Sequence, residues 1–117
     1  MDFQTAVRTC LSKYATFDGR APRSEFWWWT LFTIIANFVA VAIDAAIIGM
    51  PAVQIIVALG LILPGIAVAV RRLHDLDKSG WWYLLVFVPI IGALILIFFF
   101  IQPGTRGGNQ FGPDPLA

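Results

Sequence analysis

Cysteine and histidine are almost missing: Cys10 and His74 are the only ones in the chain. A lone cysteine excludes an internal disulfide and any cysteine-based metal cluster, and a lone histidine leaves no second imidazole for a metal site. Charge is scarce too, with Asp, Glu, Lys and Arg at 13% against about 25% in ordinary soluble domains. A net charge of +1 supplies no dense basic face, which excludes nucleic acid as a partner. The N-terminal stretch lacks the short apolar core and small-residue cleavage site of a signal peptide, so the first apolar run is expected to act as an uncleaved anchor.

What is abundant is apolar. Hydrophobic residues make up 59% of 117 residues, more than one small soluble domain can hide. The solvent must be partly lipid. The expectation is a single integral membrane domain over residues 1–117, all-α in fold class, with an N-terminal interfacial amphipathic helix and three transmembrane helices.

Residues 2–17 carry Phe3, Val7, Cys10, Leu11, Tyr14 and Phe17 at helical spacing, and Asp2 is placed to cap the start. The stretch is too polar to span. It suits a helix lying in the headgroup region, and its apolar stripe equally suits packing on other helices. Asp18-Gly19-Arg20-Ala21-Pro22 breaks it, and Pro22 fits the first position of the next helix, with Glu25 in a turn whose dipole favours an acid.

Residues 26–48 form the first predicted span, long enough at about 1.5 Å per residue for a hydrocarbon core of about 30 Å. Gly49-Met50-Pro51 turns the chain, and residues 52–70 return as an antiparallel second span, kinked near Pro64. Residues 81–101 suffice for a third. Pro89 and Gly92 near its middle make a kinked helix the first expectation and a re-entrant pair of half-helices the alternative. Residues 102–117 are rich in Gly and Pro and read as an irregular tail, with Phe111 available to dock on the body.

Basic residues set orientation. Arg8, Lys13, Arg20 and Arg23 precede the first span, Arg71, Arg72 and Lys78 lie between the second and third, and Arg106 is in the tail. The bias puts the N-terminus of this multi-pass chain on the cytoplasmic side. The tail is outside after three spans and inside if the last run is re-entrant.

Two polar segments flank these runs. Arg20, Arg23 and Glu25 enter the membrane where Arg71, Arg72, His74 and Asp75 leave it. Charges at that depth are partly desolvated and pair, so the expectation is a cytoplasmic-edge polar cluster with Glu25 on Arg71 or Arg72, and Asp75 on Arg20 or Arg23. An Arg71–Asp75 pair at four-residue spacing is also expected. Trp27, Trp28, Trp29, Trp81 and Trp82 read as interfacial anchors. His74 and Asp75 are neighbours pointing about 100° apart on a helix, a poor catalytic pair, and no nucleophile, base and orienting group can be assembled. The reading is non-enzymatic, with no cofactor and no metal. Asn37 and Asp44, seven residues apart in the first span, are the intramembrane polar candidates.

The segments Phe17-Asp18-Gly19-Arg20-Ala21-Pro22-Arg23-Ser24-Glu25-Phe26-Trp27-Trp28, Arg71-Arg72-Leu73-His74-Asp75 with Lys78-Ser79-Gly80-Trp81-Trp82, and residues 104–115 together resemble the small bacterial inner-membrane proteins catalogued as domain of unknown function 805. The resemblance runs from about Phe3 to Pro115 and departs at Asp77, where glycine is expected, and at Gln110, where a basic residue is expected. The second departure weakens anion binding by the tail. It implies a multi-span helical fold in the inner membrane and no activity, substrate or catalytic residue. The function expected is association, with membrane lipids and with a second copy or another membrane protein. The alternative is a small oligomeric channel or transporter subunit.

Overall fold

The computed structural model describes residues 2–116. Helix α1 spans Phe3–Ser12, and the Asp2 carboxylate accepts from the Thr5 N–H at 2.8 Å as its N-cap. It is shorter than the expected 2–17. The chain leaves the helix at Lys13, which lets Tyr14 turn toward the hairpin behind it. Ala6 and Cys10 are buried, so the apolar stripe of α1 packs on protein.

Helix α2 covers Arg23–Ile43 and continues through a single π-helical stretch, Asp44–Ile48. Pro22 caps it in extended conformation rather than serving as its first residue. The wider π turn ends at Gly49, whose left-handed φ of 79° needs no Cβ-bearing residue, and it presents Asp44 to the next helix. Helix α3 spans Ala52–Asp75 and follows Pro51, which offers no side-chain cap. Asp44 supplies one from across the hairpin: its carboxylate accepts from Val53 N–H and Gln54 N–H, both at 2.9 Å. The carboxylate expected to lie within the membrane is therefore a helix cap, buried and spent.

Helix α3 runs on past residue 70 because its charged last turns are paired inside the protein rather than solvated. Pro64 sits within it and lacks the N–H that would have met the carbonyl of Gly60. The Tyr14 hydroxyl donates to that carbonyl at 2.8 Å instead. A proline in one helix thus fixes the position of a tyrosine 46 residues away. The end of α3 closes with Lys78 N–H on Leu73 O and Asp77 N–H on His74 O, a pairing that requires left-handed backbone at Asp77, where φ is 60°. Aspartate tolerates that region better than most residues, which accounts for its standing where glycine was expected.

The third apolar run is not one kinked span. A 3₁₀ helix, Gly80–Phe87, and helix α4, Ile91–Ile101, fold back on each other. The reversal is a tight turn centred on Ile90 at φ 65°, ψ −62°, with Ile91 N–H on Pro89 O at 2.7 Å. The carbonyls of Leu85, Val88, Pro89 and Ile90 all accept bonds inside the turn, so little backbone is left bare. At about 2.0 and about 1.5 Å per residue the two arms are each roughly 16 Å long, half of a hydrocarbon core. Among the described residues two helices are long and apolar enough to cross a membrane, Arg23–Ile48 and Ala52–Asp75. The kinked third span expected from sequence is corrected to a pair of half-length helices, because the backbone reverses at Pro89-Ile90.

The arms touch at Gly92, where a Cβ would lie 1.7 Å from the Leu85 carbonyl oxygen. Gly92→Ala must therefore push the arms apart, at a cost of about 1–3 kcal/mol. Thermal unfolding in detergent should show a lower midpoint for Gly92→Ala and an unchanged one for Gly60→Ala corrected for helix propensity, since a Cβ at Gly60 meets nothing within 4 Å.

Candidate functional site

Helix α3 delivers Arg71, Arg72 and Asp75 to the end of the hairpin where α2 begins, and all three are buried there. Ionised groups out of water must be paired and hydrogen-bonded to persist. Arg71 Nη1 donates to Glu25 Oε2, joining the last turns of α3 to the first turn of α2. Arg72 Nη1 donates to Asp75 Oδ2, three residues along the same helix. The other oxygen of Asp75 accepts from Arg20, with Nε at 3.0 Å and Nη2 at 2.9 Å. One carboxylate thus lies between two guanidinium groups.

These pairs place Glu25 on Arg71 and Asp75 on Arg20. The expected Arg71–Asp75 pair is corrected. Asp75 turns to Arg72 at three-residue spacing, because Arg71 sits on the face that meets α2. Arg71 is fully buried, and its Nε and Nη2 meet no acceptor.

Arg20, Arg23 and Arg72, unlike Arg71, also donate to backbone carbonyls. Arg72 donates to Gln102 O and, at 3.4 Å, to Phe100 O and Ala21 O. Arg23, exposed on α2, donates to Ile101 O at 3.1 Å. The last carbonyls of α4 have no partners within their own helix and carry its negative dipole end, so two arginines are well matched to them. This contact holds the end of α4 beside the end of α3 and explains why the last apolar run returns to the edge it left.

Arg20 organises the tail in the same way. Its Nη1 donates to Gly107 O at 2.6 Å and to Gly112 O at 3.2 Å, and its Nη2 donates to Thr105 O. Thr105 N–H donates to Asp75 O at 2.7 Å, and Asn109 Nδ2 donates to His74 O at 3.0 Å. The tail is irregular, as composition predicts, and it is docked. His74 is a wedge in this packing. Its ring stacks on Phe111 with centroids 4.0 Å apart and planes 2° apart, and Nδ1 lies 2.9 Å from Gly19 O. A carbonyl only accepts, so Nδ1 carries a proton. Gly104 crosses directly over the carboxylate, where a Cβ would lie 2.0 Å from Asp75 Oδ2.

Sequence reasoning missed the carbonyls of residues 105, 107 and 112, because a backbone acceptor leaves no residue-type signal. It also missed Cys10, whose Sγ lies 3.6 Å from Glu25 Oε2. Burial, and then the nearby Glu25 charge, push that thiol up to about 12, which leaves it protonated and unreactive.

The tryptophans divide. Trp81 and Trp82 are exposed on the 3₁₀ helix, with Lys78 Nζ 5.6 Å from the Trp82 ring centroid and 4.9 Å from that of Phe99. Trp27 and Trp28 are exposed on α2, and Trp27 Nε1 donates to Phe100 O at 3.1 Å. Trp29 is corrected: at 2% exposure it is a core residue, packed where Gly65 leaves room on α3. Successive residues on a helix cannot share one face, so three adjacent indoles cannot all look outward. An open cavity of about 480 Å³ flanks the cluster, lined among others by Arg23, Asp75, Thr105 and Arg106. Among the described residues no group of three or more His, Cys, Asp or Glu side chains could hold a metal ion.

Removing one partner of the Glu25–Arg71 pair leaves a buried charge uncompensated, at about 3–5 kcal/mol. Glu25→Leu and Arg71→Leu should each lower the unfolding midpoint strongly in detergent. The double Leu variant should recover at least half of either loss. Additive losses would show that the two side chains do not act as a pair.

Residues 14–113 match the family described as "Protein of unknown function (DUF805)". Among curated proteins, "Inner membrane protein YhaI" of Escherichia coli K12 is 43% identical over 106 residues, covering 90% of each chain. "Inner membrane protein YhaH" of the same organism is 44% identical over 110 residues, covering 90% of this chain and 91% of that protein. "Uncharacterized protein YiiR" of E. coli is more distant, 28% identical over 128 residues with 85% of each chain covered. No solved structure matches. With its family profile covering the Arg20–Glu25, Arg71–Asp75 and tail segments that converge in this cluster, the chain belongs to the DUF805 family.

Proposed function

We propose that the chain is a bacterial inner-membrane protein that acts by association rather than catalysis, through the surface built on its charged edge. In this reading α2 and α3 cross the bilayer, and the Gly80–Phe87 helix and α4 enter it only halfway and return. Both termini are then cytoplasmic. The observation that carries the reading is the contact of Arg23 and Arg72 with the last carbonyls of α4, which brings the tail to the edge from which α3 emerges. All eight Lys and Arg residues then lie on one side, as the charge rule favours.

The cluster itself is unsuited to chemistry. Its carboxylates are spent on arginines, its histidine is clamped between Gly19 O and Phe111, and its thiol is held protonated. What it presents is a rigid outer rim. Trp81 is 78% exposed there, Trp82 lies beside Lys78, and Arg106 makes no ion pair among the described residues. Arginine and tryptophan at a headgroup boundary suit anionic lipid and a protein partner alike. Relatives named inner membrane proteins support the location.

A reporter fused after Ala117 tests the topology: green fluorescent protein should fluoresce, and alkaline phosphatase should be inactive. The opposite pair of results would put the tail outside and restore three spans. A photo-crosslinker at Trp81 in native membranes tests association and should give a discrete protein or lipid adduct. A strictly monomeric protein with no adduct would contradict it.

A further inference from the structure

Asn37 stands past the middle of α2 and is exposed. It is the fifteenth residue of the apolar run Arg23–Ile48, roughly 21 Å from one end and 17 Å from the other at about 1.5 Å per residue. Its Nδ2 donates one proton to Thr33 O of its own helix at 2.8 Å. The second Nδ2 proton and the Oδ1 acceptor meet no partner among the described residues. At the rim such groups would be met by water. At this depth lipid offers nothing, and an unmet amide in hydrocarbon is costly.

The neighbours of Asn37 form a seam. Ile34, Asn37, Phe38 and Val41 recur at three- and four-residue spacing on one face and line a shallow groove of about 300 Å³. Phe38 is 71% exposed, and Ile34 and Val41 are exposed as well. Ala40 and Asp44, three and seven residues on, are buried, so Asn37 stands where the exposed face of the helix borders the buried one. All four seam residues are exposed, and a polar residue among them sets a register.

We infer that this seam is a homodimer interface in which Asn37 of one copy pairs with Asn37 of a second. The amide is self-complementary, with one unused donor and one acceptor of its own. All copies insert with the same orientation, so two α2 helices meet parallel and their Asn37 residues lie at the same depth, related by a two-fold axis along the membrane normal. A different membrane protein would have to bring its own polar side chain to that depth. A second copy always does. The inference rests on α2 spanning the bilayer and not on the charged edge, whose surface is elsewhere.

Two measurements in liposomes test it. Energy transfer between labelled copies should rise with protein-to-lipid ratio for the wild type. Asn37→Leu should weaken association about threefold to twentyfold, the range spanned by interhelical hydrogen bonds in membranes, and Asn37→Gln should restore much of it. Phe38→Cys should form an intermolecular disulfide under mild oxidation, whereas Val39→Cys, exposed on another face, should not. Equal transfer for wild type and Asn37→Leu, or crosslinking no better at Phe38 than at Val39, overturns the inference. So does capture of a heterologous protein by Phe38→Cys without self-crosslinking. An edge variant such as Arg106→Ala should leave self-association unchanged, so failure of the edge reading and failure of the dimer are separable.

Discussion

Arg71 and Arg72 stand side by side at the end of an apolar helix, and neither is exposed to solvent. Two adjacent buried cations cannot share one counter-ion, because consecutive helical residues point about 100° apart. Each therefore draws its partners from a different direction. Arg71 takes Glu25 from α2, while Arg72 takes Asp75 and the end of α4. Asp75 in turn holds Arg20, and Arg20 holds three carbonyls of the tail. Burying such a network is not a cheap source of stability, since desolvation offsets much of the pairing energy. Its effect is positional: each member ties α2, α3, α4 or the tail to one of the others.

The same constraint accounts for the strained reversal in the last apolar run. A β-branched residue with positive φ, as at Ile90, persists only where its surroundings over-determine it. Here α4 is fixed at both ends. Its C-terminal carbonyls are bound by arginines, and its N-terminal turn is pressed on the 3₁₀ helix at Gly92, where no side chain fits. The turn must then close in the few residues available, with its carbonyls satisfied locally. Elsewhere the hairpin solves its own deficits by similar exchanges. Tyr14 serves the carbonyl that Pro64 strands, and Asp44 caps the helix that Pro51 cannot.

Much of this was legible in the sequence, and the limits have physical reasons. The two long apolar runs, the Gly49 turn and the convergence of the Arg20–Glu25 and Arg71–Asp75 segments follow from run length, breakers and the cost of unpaired charge. Proline and glycine signal a kink and a turn alike, so residue types alone do not select the reversal at Pro89-Ile90. The deciding contact lies outside the run, between arginines and carbonyls. A cluster of indoles reads as a belt from composition, while helical geometry sends Trp29 inward. The tail's docking was hinted at by Phe111 alone. Its main acceptors are backbone atoms, which no residue pattern marks.

Association at the membrane edge presupposes that the charged cluster welds the three family segments into one rigid body. Pulsed dipolar spectroscopy between spin labels on Lys78 and Gln110 tests that weld most directly in the intact protein in lipid. The wild type should give one narrow, short distance. Asp75→Asn, which weakens the hold on Arg20 and Arg72 while nearly preserving shape, should broaden and lengthen it. A broad distribution already in the wild type, or one unmoved by Asp75→Asn, would contradict the account.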